Sequence, residues 1–569
     1  MRPVVQSAAA LLASNALPGI FEISDRYVTE LCELNPTLAT ELGVPGHDHR
    51  WGEGFGMDGV EATVALHRGF RRLLEPHVDA TEPRDRLAAR VAARSMDEAL
   101  DSHEAGDHFR DLRHLGCSFH LIRSIFDVMP TATSEQWGNI VSRLQTIDVP
   151  LGDYRGLLAE GIDRGITVAR RQVTSVIEQA DELAGEASAF NVLLDKAETT
   201  SHRTSALDGA IEHARASVAE FGDWLAASYL PHAGADDAAG EETYRRMADR
   251  MVGMEVHPDQ AYSWGWDEFH RLHEEMSEVG EQILPGAGLV GVTEFLETDP
   301  GGLAHSTEEL VEVVERILTE AVDDLSGQHF EVPDVIRPLT VQISPPGGPL
   351  GVYYLHPSED FTRPGGVWYS IGDQTEFPLY QHVSTAYHEG FPGHHLQIAT
   401  AMYHRDRLSR VQRNLIFYPG YAEGWAMYAE VLMGELGYLE DPRHHFGMLA
   451  KQMYRASRVV VDIGLHLQKP IAASSPIDPG GEWSFDNAVE FMRVYGFRTP
   501  AQAEAEVLRY LGWPGQAIAY KLGEREILSI REEARGRLGD EFDLKTFHAT
   551  VIEHGPMGLD LLRETVLGR

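Results

Sequence analysis

Cysteine is nearly absent from the chain: Cys32 and Cys117 are the only two in 569 residues. One disulfide could not frame a protein of this size, and there is no CxxC pair, so a sulfur-ligated metal or dithiol redox site is excluded. Lysine is almost as scarce, supplying five of the 48 Lys and Arg residues, which reads as a genomic preference for Arg. Positive charge is short overall, with 88 Asp and Glu giving a formal net charge of −40. Such a surface repels phosphate backbones and anionic lipid, so neither nucleic acid nor a membrane surface is an expected partner. No uninterrupted apolar run approaches 18 residues, and no membrane-spanning helix is expected. The nearest thing to a secretion signal, Val4–Leu17, is a short Ala-rich run behind one Arg, so a cytoplasmic location is expected. GxxxxGK[ST] and GxSxG are both missing, which leaves phosphate-loop and nucleophile-elbow chemistry without support.

What is present is ordinary in bulk, 43% hydrophobic and 24% charged, as in a soluble globular protein. The length exceeds what one simple core fills. Apolar residues such as Val28, Leu31, Leu34 and Leu38 recur at helical spacing, and the stretches 83–105, 135–183, 204–229 and 258–284 repeat the pattern. After Glu331 the texture changes. Short β-branched and aromatic runs at 336–344, 351–355 and 366–371, punctuated by Pro and Gly, predict a small antiparallel sheet. Helical patterning returns at Pro378. The expected fold is mostly α with one small antiparallel sheet before the most unusual segment, divided into an N-terminal helical lobe (1–335) and a catalytic lobe (336–569), or intertwined as one domain. Gly286, Gly288 and Gly291 match GxGxxG. They follow a helical segment rather than a strand, so a helix-to-helix turn is expected in place of a dinucleotide site.

The chemistry concentrates between 382 and 395, where His382, His388, His394 and His395 surround Glu389. HExxH places two imidazoles one helical turn apart, with the Glu beside a metal-bound water. Here His388-Glu389 opens the motif correctly, but Pro392 stands where the second His belongs. Deleting Phe391-Pro392 in thought restores the spacing and makes His394 the second ligand, with His395 its competitor. Six residues of unbroken helix would rise about 9 Å and end on another face. Pro392 cannot donate the i→i−4 bond and disfavours helix at Phe391. A bulge at Gly390–Gly393 is therefore predicted, letting the helix restart with His394 facing His388. Downstream, Glu423 in the small-residue run 420–430 is the expected third ligand. Two His, one Glu and a retained water form a catalytic zinc set, with Glu389 as general base. Glu430, two turns beyond Glu423, either supports a ligand or lies on a solvated face.

The strings HEGFPGHHLQ (388–397) and AEGWAMYAE (422–430) resemble the bacterial family known as domain of unknown function 885. That family is similar in turn to the zinc peptidases of the thimet oligopeptidase, angiotensin-converting enzyme and thermostable carboxypeptidase group. The resemblance extends to Asn35–Gly43, Arg363-Pro-Gly, the run Arg455–His466 and the segment Pro514–Gly523. It implies a helical, two-lobed ellipsoid with a deep channel, one zinc at its floor and a sheet edge offered to an extended substrate. It also implies His388 and His394 as ligands, Glu423 as third ligand, Glu389 as base and Tyr520 as oxyanion donor, although Tyr520 also reads as a packed aromatic. Arg455, Arg458, Asp462 and His466 share one helical face and form either a buried ion pair or a clamp for a substrate carboxylate; Arg363, in the loop after a strand, reads either as part of such a clamp or as a surface charge. The chain departs from the family at 467–483, where a Pro/Gly-rich loop replaces a short turn.

The function expected is a zinc-dependent, metallopeptidase-like hydrolase that cleaves an amide bond in a short peptide or amino-acid derivative. A zinc-dependent lyase using the same residues and a non-catalytic helical binding protein are the alternatives.

Overall fold

The computed structural model describes residues 18–186, 188–344, 351–358, 360–372 and 374–568. The Val4–Leu17 segment lies outside them. The chain divides into two compact units. One comprises residues up to Asp237 together with Ser409–Leu415; the other comprises Ala238–Leu408 and Ile416–Arg569. The position 335/336 falls inside the second unit. The change of texture there marks the start of a sheet inside the second unit, whose first helices already precede it.

The first unit is built of helices, among them Pro83–Glu104, Asp148–Asp163 and Ser205–Trp224, around a core that includes Trp51, Phe126, Trp137, Tyr154 and Phe221. The Asn35–Gly43 landmark has a structural task here. Asn35 caps the helix Pro36–Glu41 by accepting the Leu38 N–H at 3.2 Å. The buried Arg143 then donates to Thr40 Oγ1 at 2.8 Å and to the Pro36 carbonyl at 3.2 Å. A buried guanidinium answered by carbonyl and hydroxyl oxygens, with the charge of Asp48 nearby, fixes this corner. The short helix Arg410–Asn414 joins the unit through the Val411 N–H on Ser24 Oγ at 2.8 Å.

In the second unit, α1 (Pro258–Ile283) is followed by the strands β1 (Leu339–Ile343), β2 (Val352–Leu355) and β3 (Gly365–Tyr369). β3 lies in the middle, antiparallel to β2 as expected and parallel to β1. A two-residue antiparallel pairing of Leu303–Ala304 with Phe377–Pro378 then leads into α2 (Leu379–Glu389). After it come α3 (His394–Tyr403), α4 (Pro419–Glu435), α5 (Pro442–Leu467) and α6 (Ala519–Leu538). Of the GxGxxG residues, Gly286 lies in the turn between α1 and the helix Gly288–Thr298, while Gly288 and Gly291 belong to the first turns of that helix; no strand precedes them. Cys32 and Cys117 are free thiols, both buried, and no helix among the described residues is long and apolar enough to cross a membrane.

Backbone contact between α4 and α6 prepares the site. A Cβ added to Gly424 would stand 2.7 Å from Gly523 Cα, and one added to Gly523 would stand 2.1 Å from the Gly420 carbonyl oxygen. Only glycine on both helices lets them approach this closely. The crossing carries Glu423 and Tyr520 toward the same place, since Glu423 adjoins Gly424 and Tyr520 precedes Gly523 by one turn.

Candidate metal centre

α2 ends at Glu389 and α3 begins at His394. The expected bulge is therefore a complete break between two helices. The Phe391–Pro392 peptide is cis, and the turn is closed by the Gly393 N–H on the Tyr387 carbonyl (3.0 Å) and the His395 N–H on the Gly390 carbonyl (3.1 Å). A side chain at Gly393 would meet the His388 carbonyl oxygen at 1.9 Å, so position 393 must be glycine. The break swings His394 onto His388, with ring centroids 5.0 Å apart at 83°.

Glu423 Oε2 lies 3.4 Å from His388 Nε2 and 3.6 Å from His394 Nε2. Zinc bonds of about 2.0–2.2 Å in a tetrahedron separate the donors by about 3.3–3.6 Å. The donor set therefore has the chemistry that zinc takes, and both separations from Glu423 fit a zinc tetrahedron. These three are the described residues whose ligand atoms gather in this way, all within 4.8 Å of one another. His394 and Glu423 keep 12% and 18% of their side chains open, as a site that admits a fourth partner needs.

His388 is held from behind. Its Nδ1 lies 2.7 Å from Glu430 Oε1, and the other oxygen of that carboxylate accepts from Ser384 Oγ at 2.5 Å. Glu430 is only 1% exposed, which removes the solvated-face alternative, and both its oxygens are engaged away from His394. Burial opposes its charge, but Arg455 and His388 outweigh burial and hold the carboxyl below its usual range. The bond places the Nδ1 proton toward Glu430 and turns the Nε2 lone pair toward Glu423, the orientation a metal ligand needs. Replacing Glu430 with Gln should weaken zinc binding about 10–100-fold by competition against a chromogenic chelator. An unchanged affinity would refute this role.

The same carboxylates control the protons. Burial lowers the affinity of His388 for a proton, but hydrogen bonds to Glu423 and Glu430 outweigh it and raise the pKa to about 9. Below that pH the metal-free imidazole holds a proton that must leave before Nε2 can donate. The apparent zinc affinity should therefore fall about tenfold for each pH unit below 9, with at least one proton released per zinc bound. Calorimetry in buffers of different ionisation enthalpy measures that proton, and a pH-independent affinity would contradict the assignment.

His395 is excluded as a ligand by its own bonds. Nδ1 lies 2.9 Å from the Tyr354 hydroxyl and Nε2 lies 2.7 Å from the Ile336 carbonyl, so the ring fastens the sheet to α3. Glu389 sits beside the ligands, half-buried. Burial pushes its carboxyl up and the charge of Glu423 adds to this, against the opposing pull of His388 and His394. A carboxyl raised in this way is suited to accept a proton. Tyr520 is half-buried, and burial together with Glu423 pushes its phenol up.

The expected clamp residues are separated by the structure. Arg458 supports Tyr520, with its guanidinium 4.7 Å from that ring and paired to Glu506 at 3.1 Å. It also donates to the hydroxyls of Tyr454 and Tyr510. His466 is 1% exposed; its Nδ1 accepts from the Ala239 N–H and its Nε2 donates to the Tyr510 carbonyl. It is a packing residue and no part of a clamp. Asp462 accepts from the Tyr244 hydroxyl and the Gly515 N–H instead of pairing with an Arg. Arg363 is exposed and donates to the His356 carbonyl within its own loop. Arg455 does face the site, with Nη1 3.7 Å from Glu430 Oε1. The 467–483 loop is tied to α5 and α1: Trp483 packs on Gly464 and its Nε1 donates to the Tyr262 hydroxyl at 2.9 Å.

Two residues within electrostatic reach of Glu389, Tyr369 and Lys451, escape a reading of the sequence. Tyr369, at the end of β3, is buried with its hydroxyl unpartnered among the described residues, and Glu389's charge adds to burial in pushing that phenol up. His382 is lowered to about 3 by burial and by Lys451. Only the scarcity of Lys marks Lys451 in the sequence.

The comparisons with known proteins agree on the fold. The model of a family described as "Bacterial protein of unknown function (DUF885)" matches residues 36–566. A crystal structure of a "putative lipoprotein" from Colwellia psychrerythraea superposes with a TM-score of 0.81 at 23% identity, covering 97% of this chain and 99% of that one. A second "putative lipoprotein" of unknown function, from Shewanella oneidensis, gives 0.75 at 17% identity, covering 97% and 100%. No curated protein matches the chain.

Proposed function

The chain belongs to this family of bacterial proteins of unknown function, and from that premise we propose that it is a zinc-dependent hydrolase cleaving an amide bond in a short peptide or amino-acid derivative. The observation that carries the proposal is the convergence of His388, His394 and Glu423 at zinc-ligand spacing with Glu389 beside them. A purely structural metal site has no use for a raised carboxyl next to its ligands. Two imidazoles, a carboxylate and an adjacent base also form the set shared with the zinc peptidases that the sequence resembles.

His388, His394 and Glu423 would hold the metal. When bound, zinc would lower the pKa of a water to about 7 and polarise the substrate carbonyl. Glu389 takes the proton of the attacking water and passes it to the leaving amine. The Tyr520 hydroxyl, kept protonated by burial and by Glu423, donates to the oxygen that gains charge as the carbonyl becomes tetrahedral. Glu430 and Ser384 keep His388 from turning.

Reaction in ¹⁸O-labelled water tests the reading. Hydrolysis places one labelled oxygen in the new carboxylate; an unlabelled product from a substrate that is turned over would indicate elimination or another non-hydrolytic step.

A further inference from the structure

With 40 more acidic than basic residues, nearly every cation in this chain can find a carboxylate, and around the site most do. Arg458 and Arg509 share Glu506 at 3.1 and 2.8 Å, and Lys521 holds Glu524 at 2.8 Å. Lys451 and Arg498 do not. Among the described residues no carboxylate lies within 4.0 Å of either side chain, and neither makes a side-chain hydrogen bond. Both are partly buried. Arg498 lies flat on Tyr454, its guanidinium 3.8 Å from the ring centroid. It follows Phe497, which is held at φ 53°, a conformation a bulky residue seldom adopts.

Lys451 and Arg455 stand four residues apart on α5, and like charges at this spacing repel on a helix. Arg455 is 9% exposed, with Nε and Nη1 unpartnered among the described residues and Glu430 as its carboxylate neighbour. Lys451 is within electrostatic reach of Glu389, Glu430, Arg455 and Arg498. Burial, then Arg498 and Arg455, pull its ammonium down to about 7. Lys451 and Arg498 without a carboxylate partner, within electrostatic reach of one another and of Arg455, whose carboxylate neighbour is Glu430 at 3.7 Å, cost stability that an incoming anion would return.

We propose that Lys451 and Arg498, backed by Arg455, form an anion subsite beside Glu389 that takes a carboxylate of the substrate. The subsite deepens the hydrolase reading and rests on it for the identity of the bound molecule as substrate. A carboxylate suits the subsite because an ammonium and a guanidinium both make charge-assisted bonds to it. That carboxylate is either the α-carboxylate of a peptide or the side chain of an acidic residue.

The test is calorimetric binding of three probes to the full chain, with zinc and after EDTA treatment: N-acetyl-Gly-Phe, its C-terminal amide, and N-acetyl-Gly-Glu α-amide. Wild type should bind one of the carboxylates at least about tenfold more tightly than the neutral amide. Which one it prefers identifies the α-carboxylate or the side chain as the source. The preference should disappear in Lys451→Met and Arg498→Met while zinc content is unchanged. Wild type that binds acid and amide equally, or binds no probe up to about 10 mM, overturns the subsite even if a variant fails to fold. So does a preference that survives both substitutions. The two readings fail separately. Zinc binding without carboxylate preference removes the subsite alone, whereas carboxylate preference in a protein that takes no zinc removes the hydrolase alone.

Discussion

Glu389→Gln is expected to lower turnover about a thousandfold and leave zinc in place, within the 10²–10⁴ that general-base catalysis contributes. Glutamine keeps the shape of the side chain and removes its basicity. His388, His394 and Glu423 do not rely on Glu389 for orientation, because His388 is fixed by Glu430 and the break at Gly390–Gly393 sets His394. The loss should therefore fall on kcat and kcat/KM together, with wild-type zinc stoichiometry. Unaltered turnover of an identified substrate would show that Glu389 is not the base. Loss of zinc in the variant would show that Glu389 is itself a ligand.

Tyr520→Phe carries the second large effect. Removing one oxyanion donor typically costs 10²–10³ in kcat, and Tyr520 is the residue proposed for that part. The α4–α6 crossing brings it within reach of Glu423's charge, and the Arg458 guanidinium lies 4.7 Å from the ring centroid. Since the hydroxyl acts on charge that appears only in the transition state, KM should move little while kcat falls. Equal kcat in Tyr520→Phe would return Tyr520 to a packing role. A change confined to KM would make it a substrate contact.

The helices and the break after Glu389 were legible because both arise from local chemistry. Periodic apolar positions define the helices Pro83–Glu104, Ser205–Trp224 and Pro258–Ile283, and Pro392 flanked by glycines cannot continue a helix. The division of the chain was not legible. Whether 238–335 belongs with what precedes or follows it, and why Ser409–Leu415 joins the first unit, depends on packing between distant segments.

The same distinction separates the site residues. His388, Glu389, His394 and Glu423 belong to a spaced pattern. Glu430 lies on the same face as Glu423, and spacing alone could not tell a buried support from a solvated one. His395 and His394 are adjacent, and only the Tyr354 and Ile336 partners assign the former to the sheet. The shared face of Arg455, Arg458, Asp462 and His466 was read correctly as a helical face. It said nothing of Glu506, Tyr510 or Tyr244, which arrive from other helices and take Arg458, His466 and Asp462 out of a clamp, leaving Arg455 facing the site.

Zinc stoichiometry across the ligand set tests the central claim most directly. Wild type, His388→Ala, His394→Ala and His395→Ala would be stripped with chelator, restored with zinc, freed of excess metal and measured by elemental mass spectrometry. About one zinc per chain is predicted in wild type and in His395→Ala, and close to none in the other two. Zinc that persists in His394→Ala and disappears in His395→Ala, or a wild type that takes up none, would contradict it.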